Sequence, residues 1–218
     1  MFEYVQEREH TTRLEPRTMV YVITLGEMDK DNPEKLSDRG KNQVQELANS
    51  RLVTGVSRIY SSPASVAVET SNILKKEFYC NVEKKECLIE LELGIPWTDE
   101  DKLRETLQRL WEDEDFKPNN GESMSEARSR IRDCLNEIGL RHQGDSVAIV
   151  THPLTSNLLH SLVTGVPSEI HDWLMSGFAS CASYEHTKAG WILVMPPDNS
   201  FLTDPSTIAD ILPDNLVD

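Results

Sequence analysis

The sequence predicts an α/β domain in which helices cover both faces of a mostly parallel sheet, a three-layer α/β/α sandwich. Apolar strand-like runs alternate with amphipathic helical segments from residue 19 to residue 195. The first run, Val20-Tyr21-Val22-Ile23, lacks the polar alternation of a half-exposed strand, which is typical of a strand buried on both faces. A turn at residues 188–190 between two further runs predicts an antiparallel hairpin near the C-terminus.

The first strand, residues 19–25, ends abruptly at Gly26-Glu27. Gly26 lets the chain turn where a side chain would obstruct it. Ligands of open α/β sheets bind off the carboxyl ends of such strands. Thr24, Leu25, Gly26 and Glu27 are therefore the first candidate site residues.

The remaining elements follow in order. Ser37 is placed to cap a helix with Val44 and Leu47 on its apolar face, and Ser62-Pro63 marks the start of another helix. The predicted elements are a strand at 57–61, a helix at 64–76, a strand at 81–88, helices at 103–111 and 122–141, a strand at 146–152, helices at 153–162 and 168–175, and hairpin strands at 181–186 and 191–195. We predict an N-terminal extension (1–18), the α/β domain (19–197) and an acidic C-terminal tail (198–218), which either packs a short helix on the body or hangs free.

Charge and composition exclude several kinds of partner. The 218 residues carry a formal net charge of −15, and such a field repels nucleic acid and anionic membrane surfaces. No apolar stretch approaches the roughly 18 residues that cross a bilayer, and no apolar signal core stands at the N-terminus. These features predict a cytoplasmic protein with no nucleic-acid or membrane partner and no cofactor.

The four cysteines are Cys80, Cys87, Cys134 and Cys181. They show no Cys-x-x-Cys spacing, so we expect reduced thiols and neither a disulfide framework nor a zinc ribbon. Neither Cys134 nor Cys181 is followed by an arginine at the spacing of a cysteine phosphatase loop. Both are predicted to be core residues.

Six segments, in order, resemble motifs of the histidine phosphatase superfamily, the phosphoglycerate mutase-like phosphatases. The family's strand-tip Arg-His-Gly-Glu is similar to Thr24-Leu25-Gly26-Glu27, and its Leu-Thr-x-x-Gly-x-x-Gln resembles Leu36-Ser37-Asp38-Arg39-Gly40-Lys41-Asn42-Gln43. Its Ser-Ser-Pro-Leu-x-Arg-Ala-x-x-Thr resembles residues 61–70, with Val66 where the arginine belongs. The acid-bearing motif resembles Leu88 to Gly94 with Glu90. Gly121-Glu122-Ser123 with Arg130, and Val150-Thr151-His152, resemble the last two motifs.

The resemblance implies a phosphoglycerate mutase-like fold and a specific chemistry. In such enzymes the first histidine attacks phosphorus, two arginines and the second histidine hold the phosphoryl oxygens, and an acid protonates the leaving group. This chain retains Glu90 and His152 from that set. Leu25 has no lone pair, and Thr24 and Val66 supply no positive charge. The resemblance therefore points to a degenerate member whose vestigial site comprises Thr24, Leu25, Gly26, Glu27, Ser62, Val66, Glu90 and His152.

Our functional hypothesis is a pseudophosphatase that binds a protein partner or a ligand other than phosphate, and that forms a homodimer. The alternative is a weak or altered hydrolase that uses Glu90 and His152 with water as the nucleophile. His152 could instead be a strand-end histidine held by backbone groups. A third hypothesis is that the vacated cleft binds a neutral or cationic ligand, because Leu25 and Val66 make its floor apolar while Glu27 and Glu90 keep a negative rim. Glu27, Glu90 and His152 are too loosely placed to predict a metal site.

Overall fold

The computed structural model describes residues 16–94, 99–118 and 121–212. Its strands form one six-stranded sheet of order β3-β2-β4-β1-β5-β6. The strands are β1 (Thr18–Thr24), β2 (Val56–Ser61), β3 (Asn81–Lys84), β4 (Ser146–Thr151), β5 (Cys181–Thr187) and β6 (Gly190–Asp198). Strands β3, β2, β4 and β1 are parallel, and the β5–β6 hairpin adds antiparallel pairs. The predicted α/β class and mostly parallel sheet are confirmed.

β1 lies inside the sheet, between β4 and β5. Its side chains Val20, Val22 and Ile23 are buried in the core. This position accounts for the unbroken apolar run in the sequence, because helices and neighbouring strands surround the strand on all sides.

The helices are α1 (Asp38–Asn49), α2 (Ser65–Phe78), α3 (Glu100–Glu112), α4 (Met124–Arg141), α5 (Pro153–Thr164) and α6 (Ile170–Leu174). α1 packs on α2, and α4 packs on α5. The parallel crossovers through α1 and α2 run toward β3, whereas the parallel crossover through α4 runs back from β3 to β4. Because such crossovers are right-handed, the opposite directions place α1 and α2 on one face of the sheet and α4, with α5 packed on it, on the other.

Sequence signals located most of the helix starts. The Ser37 hydroxyl caps α1 by accepting the Gly40 N–H at 2.9 Å, and Ser123 forms a capping box with Glu126 at the start of α4. The prediction for α2 was wrong in detail. Its N-cap is Ala64, without a side-chain bond. The Ser62 hydroxyl lies two residues earlier, where it accepts the Ala64 N–H at 3.3 Å and pairs with His152.

The predicted strand at residues 81–88 is shorter than expected. β3 ends at Lys84, and a 3-10 helix occupies Glu86–Leu88. A disulfide bond joins Cys87, in this turn, to Cys134 on α4. The expectation of reduced thiols was therefore wrong for this pair, because the contact between the turn and α4 depends on tertiary packing across a sequence separation of 47 residues. Cys181 is a buried core residue, and burial raises its pKa to about 12.

The segment at residues 199–212 packs on the body of the domain. Ser206, Ile208 and Leu212 are buried, and a 3-10 helix covers Ile208–Asp210. The Arg39 guanidinium binds the Asp204 carboxylate at 2.6 Å, and the Gln43 side chain donates to the Ser206 hydroxyl at 2.8 Å. The predicted extension at residues 1–15 lies outside the described residues. Among the described residues, no helix combines the length and apolar character that a membrane crossing requires.

Candidate active site

The candidate site lies at the carboxyl ends of β1 and β4, where the direction of the crossovers reverses. The two strands are parallel neighbours, and the Leu25 N–H donates to the Thr151 carbonyl at 2.9 Å. Leu25 follows β1 and His152 follows β4. Such a reversal opens a crevice between the strand ends, which is the usual ligand site of open α/β sheets.

A cleft of about 1250 Å³ occupies this crevice. We name it the β1–β4 cleft. Its described lining residues include three sequence-predicted site residues, Leu25, Glu90 and His152. The others are Met28, Asp29, Lys30, Pro33, Leu91, Glu92, Leu93, Gly94, Glu100, Pro153, Ile208, Ile211 and Leu212.

Leu25 forms part of the cleft floor, with 0% of its side chain exposed. A hydrocarbon side chain at this point offers neither a nucleophile nor a hydrogen bond. Gly26 follows it because the chain passes close to α1. A Cβ on Gly26 would stand 2.6 Å from the Gly40 carbonyl oxygen, so the glycine serves close packing.

The Glu90 carboxylate binds the start of α5. Its Oε2 accepts the Leu154 N–H at 3.0 Å, and its Oε1 accepts both the N–H and the hydroxyl of Thr155 at 2.9 Å. The first turn of a helix carries unpaired N–H donors and a partial positive charge, which a carboxylate satisfies well. Glu90 is therefore a helix cap in this structure.

The imidazole of His152 is held by a serine. Its Nε2 lies 2.8 Å from the Ser62 hydroxyl, and Ser62 is fully buried outside the cleft lining. Burial lowers the pKa of His152, the nearby Arg130 acts in the same direction, and Glu90 opposes them. His152 is thus a neutral imidazole at the cleft floor near pH 7, with Ser62 fixing its ring.

Glu27 does not line the β1–β4 cleft. Its carboxylate accepts the Ser37 hydroxyl and the Arg39 guanidinium, both at 3.1 Å. Arg39 in turn binds Asp204 of the C-terminal segment. Glu27 therefore joins the tip of β1 to α1 and the C-terminal segment, and the expected negative rim of Glu27 and Glu90 does not form.

Thr24 and Val66 lie away from the cleft. The Thr24 hydroxyl donates to the Gly177 carbonyl at 2.7 Å and accepts the Ser180 N–H at 2.8 Å, in a separate polar pocket of about 360 Å³. Val66 is a core residue of α2 with 4% exposure. The structure therefore brings together Leu25, Glu90 and His152, with Ser62 behind His152, and separates Thr24, Glu27 and Val66 from them.

Two contributions to the site lay outside the predicted site residues, although Arg130 matches a family motif. Arg130 on α4 pairs with Glu122 and donates to the carbonyls of Cys87 and Ile89 at 2.9 and 3.2 Å, so it positions the segment that carries Glu90. The signal for it was the motif Gly121-Glu122-Ser123 with Arg130, in which Glu122 precedes the start of α4. The C-terminal residues Ile208, Ile211 and Leu212 also line the cleft, and their helical spacing was the available signal.

The charge of the cleft is unfavourable to anions. Its described lining residues include four acids and one lysine, which are Asp29, Glu90, Glu92, Glu100 and Lys30. Within residues 16–94, 99–118 and 121–212, no group of three or more His, Cys, Asp or Glu side chains could hold a metal ion. Glu27, Glu90 and His152 each have other hydrogen-bond partners.

Relatives of known name match most of the chain. A protein named "Probable phosphoglycerate mutase GpmB" from Proteus mirabilis is 25% identical over 206 residues, covering 85% of this chain and 95% of that protein. "Phosphoserine phosphatase 1" from Hydrogenobacter thermophilus is 28% identical over 139 residues, covering 60% of this chain and 65% of the relative.

Solved structures share the fold. YhfR from Bacillus stearothermophilus superposes with a TM-score of 0.72 at 22% identity, covering 85% of this chain and 99% of its own. A phosphoglycerate mutase from Bacillus anthracis gives a TM-score of 0.70 at 16% identity, covering 86% and 96% of the two chains. The model of the histidine phosphatase superfamily (branch 1) matches residues 26–199, a span that begins directly after Leu25. This chain belongs to the histidine phosphatase superfamily.

Proposed function

We propose that this chain is a catalytically inactive member of its superfamily, a pseudophosphatase that acts by binding a partner or a ligand other than phosphate. The main support for the proposal is that the N–H groups at the start of α5 are already bound by an acid of the same chain. The Leu154 and Thr155 N–H groups could attract a phosphate, but the Glu90 carboxylate already accepts both of them. A phosphate would have to displace an acid that belongs to the same chain.

The chemical groups of the reaction are missing at the same place. Leu25 occupies the position of the phosphorylated histidine in the family motif, and its hydrocarbon cannot form a phosphoenzyme. The guanidinium of Arg130 binds Glu122 and backbone carbonyls. Losing the nucleophile of a covalent mechanism typically costs about 10⁶-fold in rate, and Glu90, a helix cap, is a poor proton donor to a leaving group.

A second candidate function is a weak hydrolase of phosphoric monoesters with water as nucleophile. One observation favours it: His152 lines the cleft and its lowered pKa keeps the imidazole able to accept a proton from water. Its substrates would be of the kind that the relatives' names indicate, phosphoserine or a phosphoglycerate.

Phosphate release from p-nitrophenyl phosphate, phosphoserine and 3-phosphoglycerate separates the two candidates. We expect no turnover above the buffer rate from the wild-type chain, and the same rates from Glu90→Gln and His152→Ala. The control is Glu77→Gln, on the far end of α2. Turnover that persists in the Glu77→Gln chain but disappears in both site variants would establish the hydrolase instead.

A further inference from the structure

The β1–β4 cleft has two chemically different regions. Its floor is apolar: the partly exposed Met28 and Ile211 lie over the buried Leu25, Leu93 and Ile208. Its rim carries the exposed acids Glu92 and Glu100. A ligand that fits both regions needs an apolar body and a positively charged end.

Within residues 16–94, 99–118 and 121–212, the side chains of the rim acids Glu92 and Glu100 form no hydrogen bond or ion pair. Glu90 is bound by the start of α5, and one Asp29 oxygen accepts the N–H groups of Asp31 and Asn32. Glu92 and Glu100 take no part in these hydrogen bonds, and both residues are exposed. Lys30 approaches the Asp210 carbonyl at 3.5 Å, toward the C-terminal segment.

The cleft is large enough to enclose a small organic molecule. Ligand pockets typically have volumes of roughly 300–1,000 Å³, and this cleft, at about 1250 Å³, is larger. The neutral imidazole of His152 lies at the floor without adding a positive charge that would repel a cation.

We propose that the β1–β4 cleft binds a small amphipathic cation, an amine whose apolar body lies against Met28 and Ile211 and whose ammonium group lies at the acidic rim of Glu92 and Glu100. This inference rests on the proposed non-catalytic binding role. It specifies the ligand class of that same cleft, and charge complementarity is what separates this occupant from an anionic or neutral one.

Calorimetric titration with three probes of equal chain length tests the proposal. The probes are dodecyltrimethylammonium, dodecyl phosphate and dodecyl maltoside, each kept below its micelle concentration. We expect the cationic probe to bind about tenfold more tightly than the neutral one and the anionic probe to bind weakest, because two rim carboxylates each contribute up to about 1 kcal/mol. Equal or tighter binding of dodecyl phosphate would overturn the proposal.

Two double variants separate the rim from the general negative field of the protein. Glu92→Gln with Glu100→Gln should weaken the cationic probe about tenfold and leave the neutral probe unchanged. The matched control, Glu77→Gln with Asp145→Asn, removes two exposed charges near the end of α2 and just before β4, at the amino ends of the strands, and should leave both probes unchanged. Equal weakening by the two double variants would assign the binding to net charge and overturn the site.

A floor variant tests where the apolar body lies. Ile211 is partly exposed to the cleft, and Ile211→Asp should abolish binding of the neutral probe while circular dichroism shows a folded chain. Unchanged affinity for the neutral probe in that folded variant would overturn the proposed floor. Hydrolysis of phosphate esters would refute the proposed function independently, whereas a chain that neither hydrolyses esters nor prefers the cationic probe refutes this inference alone.

Discussion

The Glu90 carboxylate lines the β1–β4 cleft and caps α5 at the same time. It accepts the N–H groups of Leu154 and Thr155, which have no other partner within the first turn of the helix. We expect Glu90→Ala to lower the free energy of unfolding by about 2 kcal/mol, because caps contribute about 0.5–2 kcal/mol and hydrogen bonds to a charged group about 1.5–3. Urea unfolding followed by circular dichroism at pH 7.5 measures this loss.

The control for this prediction lies two residues along the chain. Glu92 is exposed, and its side chain makes no hydrogen bond among those of the described residues, so Glu92→Ala should change the unfolding free energy by less than about 0.5 kcal/mol. Equal effects of the two substitutions would show that Glu90 is not a cap.

For single residues, the sequence predicted which strand end each one occupies better than it predicted where the side chain points. Leu25 and His152 lie together because the strand-end rule depends only on sheet topology. Thr24 and Glu27 are adjacent to Leu25, yet their side chains bind Gly177 and Arg39 instead. Those directions depend on partners more than ten residues away, which no local pattern records.

At the scale of elements, the segment that carries Glu90 is anchored by contacts from two sides. Cys87 is bonded to Cys134, and the Arg130 guanidinium holds the carbonyls of Cys87 and Ile89. From the other side, the hydroxyls of Thr151 and Thr155 donate to Leu88 and Ile89. The Glu90 segment is therefore preorganised against α5.

Reduction of the disulfide should loosen this anchoring. Cross-links that close loops of this length, with 47 residues of sequence separation, stabilise a fold by about 2–4 kcal/mol. We expect dithiothreitol to lower the unfolding free energy of the wild-type chain by an amount in that range, measured by urea unfolding with and without the reductant.

Cysteine variants make this prediction specific. The Cys87→Ala chain cannot form the bond and should be insensitive to dithiothreitol. Cys80→Ala, at a free cysteine, should keep the wild-type sensitivity. A Cys87→Ala chain that loses as much stability on reduction as the wild type would rule out the bond as the cause.

Elements were predictable where the signal is local. Ser37 and Ser123 cap α1 and α4 as their sequences indicate, because a cap needs only residues within one turn. The end of β3 at Lys84 and the Cys87–Cys134 bond were not predictable. Both depend on how the following turn packs on α4.

At the scale of the whole molecule, the class of fold followed from the alternation of strands and helices. The connection that follows β1, through α1, runs toward β2, whereas the connection that follows β4, through α5, runs toward β5. This reversal places the cleft between β1 and β4. The cleft wall formed by Ile208, Ile211 and Leu212 was not anticipated. It depends on the C-terminal segment crossing from β6 to α1, where Arg39 and Gln43 hold it.

The buried histidines should make the stability of the whole fold depend on pH. Burial is the largest cause of the lowered pKa values of His142, His152 and His160. A native pKa below the unfolded value of about 6.5 means that the unfolded chain takes up protons first as the pH falls. Stability should therefore be full above pH 6.5 and should decline as the pH falls from there toward the native pKa values.

The contribution of His152 can be isolated from this dependence. Charged groups near its ring are Glu90 and Arg130, and both are unchanged in the variants compared. Hydrogen bonds from Lys102 and Lys117 lower the pKa values of Asp99 and Glu126. These two carboxylates therefore take up protons only in more acidic solution, below their ordinary pKa values of 3.8 and 4.5.

Urea unfolding at pH 7.5, 6.5 and 5.5 should show a smaller loss of stability for His152→Gln than for the wild type. His171→Gln, at an exposed histidine, should keep the wild-type loss, and the comparison between variants cancels the gain that the negatively charged chain makes on acidification. Identical losses in all three chains would mean that His152 takes up a proton as readily in the native cleft as in the unfolded chain.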